Sequence, residues 1–200
     1  MSFPDFKDWK EIVVNPIEKD QYRTCDYDYY KEKYEICLRF KPRTIAEIGV
    51  RYGYSLASFL FASPEAEAYG YDMINGGNGG PQEIDTFEYV APMLGKNFPL
   101  AKINLIHRNT QLMNLLDRSF DFVHVDGSHS EDHCTHDMET VFLTCPSRMV
   151  MLVDDYTYID GVKRAVDKFL EKRSNEIESS EKIDGFRGNC IIVKKATENV

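Results

Sequence analysis

Thr44–Ser55 reads T-I-A-E-I-G-V-R-Y-G-Y-S, and the order of residue types in it decides the fold. A β-rich run, Thr44–Ile48, leads into Gly49 and Gly53. Leu56, Phe59 and Leu60 then recur at helical spacing. A strand, a glycine turn and a helix in that order form the opening unit of a parallel α/β sheet. The glycines allow a tight turn and a close approach of backbone to a ligand. Glu47, near the carboxyl end of the strand, suits a cationic group on that ligand. The spacing E-x-G-x-x-x-G is not the G-x-G-x-x-G pyrophosphate loop, and an acid is a poor neighbour for a dinucleotide pyrophosphate. A nicotinamide-linked oxidoreductase is set aside on that ground.

Outward from this unit, short β-rich runs fall at Ala68–Tyr71, Ile103–Ile106, Phe120–Val125 and Met149–Val153. Two more, Ile183–Phe186 and Cys190–Val193, flank Gly188 and predict an antiparallel hairpin. Helical stripes accompany most strands: Tyr30, Tyr34, Cys37 and Leu38 before the first, Cys134, Met138, Val141 and Phe142 after the fourth, and Val162, Val166, Phe169 and Leu170 after the fifth. This alternation predicts a doubly wound sheet with helices on both faces, and ligands in such folds bind at the carboxyl ends of the strands. Ile74–Gly80 (INGGNGG) reads as a mobile loop, and Lys172–Lys182 as a solvated connection.

Composition narrows the classes further. The chain has 200 residues, with 24 Lys+Arg against 33 Asp+Glu and a net charge of −9, which suits one domain with a sizeable core. The acidic balance argues against a broad grip on nucleic acid. No run of ~18 apolar residues predicts a membrane span. The opening MSFPDFKDWKEIVV lacks the apolar core of a signal peptide. Five widely spaced cysteines without a CxxC favour reduced thiols and a cytoplasmic setting.

The unusual residues sit just after strands. Asp72 ends the second, where an acid commonly accepts ribose hydroxyls. Val125-Asp126-Gly127-Ser128-His129 ends the fourth, and Val153-Asp154-Asp155-Tyr156 the fifth. Adjacent strand ends lie ~5 Å apart, so Asp126, Asp154 and Asp155 converge. Clustered carboxylates require raised pKa values or a cation, and hard oxygen donors suit Mg²⁺. Asp154 and Asp155, being consecutive, point in different directions if strand geometry persists. His129 stands where an imidazole can accept a proton from a cation-bound hydroxyl. His124 reads as packed within its strand, and His133 and His136 as solvated or locally paired. No Cys/His set has structural zinc spacing.

EIGVRYGYS, YGYD, FDFVHVDGSHS and MLVDDY together resemble the class I S-adenosylmethionine-dependent methyltransferases. More narrowly they resemble the metal-dependent small-molecule O-methyltransferases of the macrolide-sugar and cephalosporin-biosynthesis type, from about Thr44 to Phe169. The resemblance implies a Rossmann-like seven-stranded sheet ordered 3-2-1-4-5-7-6, the last strand antiparallel. It implies a single domain over residues 1–200, with residues 1–40 an N-terminal helical segment serving the substrate site or an oligomer contact. It places Glu47, Gly49 and Gly53, with Ser55 in the same loop, at the methionine side of S-adenosylmethionine, and Asp72 at the ribose. Asn109, Thr110 and Gln111 meet the adenine, with Asp126 nearby. Asp126, Asp154 and Asp155 hold Mg²⁺, and His129 is the base. The implied reaction is methyl transfer to a hydroxyl of a small molecule, a sugar or a vicinal diol, by an enzyme of a kind that often assembles as a homo-oligomer. The strongly aromatic N-terminal segment (Tyr22, Tyr27, Tyr29, Tyr30, Tyr34) fits core packing, an oligomer contact or a substrate floor.

Overall fold

In the computed structural model, which describes residues 1–12, 27–73 and 85–196, β1 (Thr44–Ile48) is the third strand of a seven-stranded sheet. Ahead of it lie α1 (Phe6–Ile12) and α2 (Tyr27–Phe40). After it come α3 (Tyr54–Ala62), β2 (Glu67–Asp72), α4 (Phe87–Asn97), β3 (Lys102–His107), β4 (Phe122–Val125), α5 (Glu131–Thr144), β5 (Met149–Val153), α6 (Asp160–Lys172), β6 (Ile177–Ile183) and β7 (Asn189–Lys194). The order is β3-β2-β1-β4-β5-β7-β6. The first five strands pair in parallel, and β7 is antiparallel to both neighbours. This is the Rossmann-like class I methyltransferase topology that the resemblance implies.

Strand alternation divides the core in two. Ile45, Phe122, Val150 and Leu152 face one way and pack with residues of α2, α3 and α4. Ala46, Ile48, Val123, Val125, Met151 and Val153 face the other way, under α5 and α6. The same parity sends Glu47, His124 and Asp154 toward the α2 and α3 side. Among the described residues no helix is long and apolar enough to cross a membrane.

Three expectations are corrected, and one helix is added. The run Ile183–Phe186 is not a strand: β6 is Ile177–Ile183, inside the stretch read as a solvated connection. Its Glu178–Lys182 side chains are exposed because β6 is the sheet edge, where polar residues are tolerated and guard against pairing with another chain. The start of β4 is later than Phe120; Asp121 instead receives the backbone N–H groups of Arg43 and Thr44 on its carboxylate. The buried face of α2 is Tyr29, Tyr30, Lys33, Ile36 and Cys37, with Leu38 exposed, because Lys33 turns inward to partners described below. Finally, α4 carries Pro92 and Gly95 within 11 residues, which hides it from a propensity reading. The loop Ile74–Gly80, Tyr22 and Cys25 lie outside the described residues; Cys37, Cys134, Cys145 and Cys190 are free and buried.

Candidate active site

A cleft of about 260 Å³ opens at the carboxyl ends of the parallel strands. Its floor begins at the turn after β1. Gly49 holds φ +87°, and a Cβ placed there would stand 2.0 Å from the Asp126 carbonyl oxygen. Gly49 donates its N–H to the Tyr71 carbonyl and the Asp126 N–H goes to Ile48, so backbone from three strands meets at this point. Gly53 (φ +72°) precedes α3, and Ser55 lies in its first turn at the cleft wall.

Asp72, at the end of β2, faces the cleft with its carboxylate oriented by backbone: Arg51 N–H donates to Oδ2 at 2.6 Å and Met73 N–H to Oδ1 at 2.7 Å. After β3, Asn109 caps a 3₁₀ turn over Thr110–Leu112 by accepting the Gln111 N–H at 3.0 Å. Thr110 and Gln111 also line the cleft, but their side chains donate to a residue outside the strand-end motifs. Thr110 Oγ1 and Gln111 Nε2 lie 2.7 and 2.8 Å from Asp137 Oδ1, on α5. Asp137 is buried at the cleft wall, and its Oδ2 has no hydrogen-bond partner among the described residues. Burial pushes this carboxyl up to about 6, against the Thr110 hydrogen bond and the nearby His136 and His133.

At the β4 and β5 end, Asp126, His129 and Asp155 converge. His129 Nε2 is 3.4 Å from Asp126 Oδ1 and 3.3 Å from Asp155 Oδ2. The ligand-type atoms of these three residues lie within 4.8 Å of one another. Asp155 holds φ +57°, which turns it off the strand and into the cleft; its buried Oδ1 accepts no hydrogen bond among the described residues and has the Arg187 guanidinium 3.9 Å away. Burial, then the Asp154 charge, raises the Asp126 carboxyl to about 7. The Asp126 hydrogen bond raises the His129 imidazole. Ser130 then caps α5, which starts at Glu131, two residues after His129. His133 and His136 are locally paired, with Ser128 and with the Thr110 and Met113 carbonyls respectively.

Glu47 and Asp154 do not line this cleft. Both lie beneath it in a buried polar chain, on the face that strand parity assigns them. His124 Nδ1 is 2.8 Å from Glu47 Oε1, Lys33 Nζ donates to His124 Nε2 at 2.9 Å, and Lys33 Nζ is 2.8 Å from Asp154 Oδ2. The Tyr29 hydroxyl donates to the same Asp154 oxygen. Burial opposes the Asp154 charge, yet Lys33 and His124 hold this carboxyl below the usual range. Burial and then Lys33 keep His124 neutral, and burial pushes Glu47 up. His124, Asp126 and Asp154 also offer atoms within 4.8 Å of one another, but the Lys33 ammonium already sits between two of them.

The carboxylates of Asp126 and Asp155 suit a hard divalent cation, with the His129 imidazole beside them and the Arg187 guanidinium 3.9 Å from Asp155 Oδ1. At Gly49 the β1 turn packs directly on the Asp126 backbone, so the floor of the cleft is bare main chain.

Residues 46–156 match the family described as Methyltransferase domain. No curated protein matches the chain. Among solved structures, the SAH-bound methyltransferase PaMTH1 of Podospora anserina superposes with a TM-score of 0.66 at 17% identity, over 99% of this chain and 90% of its own. The O-methyltransferase from Bacillus cereus in complex with SAH gives 0.63 at 15%, over 96% and 93%. TomG, an O-methyltransferase of Streptomyces achromogenes involved in tomaymycin synthesis and solved with SAM, gives 0.60 at 16%, over 97% and 100%. At these identities the likeness is one of fold.

Proposed function

The chain belongs to the methyltransferase-domain family, and from that premise we propose that it transfers a methyl group from S-adenosylmethionine to a hydroxyl of a small molecule, with Mg²⁺ held beside the acceptor. One observation carries this reading. A single cleft joins the glycine turn and Asp72 at one end to Asp126, His129 and Asp155 at the other. When bound, S-adenosylmethionine supplies an electrophilic methyl and the cation lowers the pKa of the acceptor hydroxyl.

The protein's own groups then have separable tasks. Asp72, fixed by two backbone N–H groups, accepts from a ribose diol. Gly49 lets the β1 turn close onto the Asp126 backbone and so shapes the floor for the methionine portion, with Gly53 and Ser55 continuing the same wall. Asn109, Thr110 and Gln111 bound the adenine end. Asp126 and Asp155 would hold the cation. Asp154, committed to Lys33, fixes the end of β5 from behind. His129 Nε2, beside both carboxylates, takes the acceptor proton. Tyr29 and Tyr30 of α2 close the acceptor end and exclude water, so the N-terminal segment serves the substrate site. Rate enhancement comes largely from aligning two bound reactants.

The test is transfer of label from methyl-labelled S-adenosylmethionine to a panel of sugars, vicinal diols and phenols, with Mg²⁺ or with excess chelator. Label in a hydroxyl-bearing product, reduced by chelator, supports the reading. Label that stays with the cofactor across the panel favours a binding protein of the same fold. Transfer unaffected by chelator removes the cation.

A further inference from the structure

Asp137 is the buried group that the proposed mechanism leaves idle. It sits at the cleft wall at 1% exposure, on the stripe of α5 that otherwise carries Cys134, Met138 and Val141. Its two oxygens are not equivalent. Oδ1 accepts from Thr110 and Gln111, which fixes the plane of the carboxylate. Oδ2 accepts nothing among the described residues. A buried acceptor without a donor is costly, about 1–3 kcal/mol or more for a charged group, and each such atom in a folded protein calls for an explanation. Beside it stands Gly127, where a Cβ would come within 3.0 Å of Oδ2. Even a methyl there would crowd Oδ2 and the Ile48 side chain, so the cleft wall beside this carboxylate is bare backbone. The residues that pin Asp137 are those after β3 placed at the adenine end of the cofactor.

We propose that Asp137 reads the exocyclic amine of the cofactor's purine: its Oδ2 accepts an N–H of a 6-amino purine and meets repulsion from a 6-oxo purine. This rests on the S-adenosylmethionine reading above and adds to it a specificity-determining residue outside the strand-end motifs. A 6-amino group presents two donors; a 6-oxo group presents a lone pair. With Oδ1 already taken, Oδ2 has only the ligand to satisfy it, so the carboxylate discriminates by sign.

Calorimetry with S-adenosylhomocysteine and with S-inosylhomocysteine, its 6-oxo counterpart, tests this on the whole protein. The wild type binds the amino compound ~10- to 100-fold more tightly, the range for one hydrogen bond to a charged group. In Asp137→Asn, the new amide N–H₂ at the Oδ2 position donates to a 6-oxo group, and the preference collapses by at least tenfold. Should that variant fail to fold, Asp137→Ser, which is smaller than the residue it replaces, loses the preference in the same direction. Equal binding of the two compounds by the wild type overturns the proposal, as does a preference that survives in the folded variants. Absence of binding by either compound overturns the cofactor reading itself, which separates the two failures.

Discussion

Lys33, on α2, and Asp154, at the end of β5, form an ion pair of 2.8 Å with side chains 0% and 1% exposed. Buried from bulk solvent, the pair leaves a stranded charge when one partner is removed. Lys33→Met is expected to cost ~3–5 kcal/mol of stability, read by urea unfolding, and Lys33→Met with Asp154→Asn to recover much of that loss. A single-variant cost under ~1 kcal/mol contradicts a buried ionised pair.

Gly49 faces two obstacles to substitution, its positive φ and a Cβ 2.0 Å from the Asp126 carbonyl oxygen. The obstacle is backbone and cannot swing aside. Gly49→Ala is expected to lower the melting temperature clearly and to abolish binding of S-adenosylhomocysteine in whatever fraction folds. Near-native affinity in the variant refutes the close backbone approach assigned to this turn.

Asp137 couples stability to pH. Burial raises its carboxyl to about 6 in the folded protein, above the ~3.9 of an unfolded aspartate. Between those values the native state holds more protons than the unfolded one, so stability falls as pH rises through ~4 to 6 and is level above. The group accounts for at most ~3 kcal/mol across that window, since one proton's difference between the two states is worth ~1.4 kcal/mol for each step of one in pH. Urea unfolding of the wild type and Asp137→Asn from pH 4 to 7 isolates it. The wild type's advantage over the variant should shrink toward pH 6, and a constant difference refutes the raised carboxyl.

Asp126, His129 and Asp155 make a further claim about cations. Mg²⁺ at ~100 times its dissociation constant is expected to stabilise the protein by ~2.7 kcal/mol in thermal unfolding, by mass action. Asp155→Ala should remove that increment while binding of S-adenosylhomocysteine, whose contacts lie along the other end, persists. An increment retained in Asp155→Ala places the cation elsewhere.

The strands that carry the cleft were legible because β-rich runs in a parallel sheet are short and apolar, and because Asp72, Asp126 and Asp155 stand at or just past their ends. The two working charges missed from sequence, Lys33 and Asp137, are helical. Each lies on an apolar stripe, Lys33 between Tyr29 and Cys37 and Asp137 between Cys134 and Val141. A charged residue on the buried side of a helix signals an internal partner, and that was the available clue. The partners themselves could not be read, since Asp154 and Thr110 reach them only through the fold. Asp154 itself shows the limit of a motif. D-D at a strand end places two carboxylates, and only parity and the positive φ of Asp155 decide which one faces the cleft.

The cofactor assignment is tested most directly by titrating S-adenosylhomocysteine into wild type and Asp72→Ala in the calorimeter. The account predicts one site per chain in the wild type and a loss of ~10-fold or more in Asp72→Ala, as for an interaction with a charged acceptor. No binding by the wild type, or equal affinity in the two proteins, would contradict it.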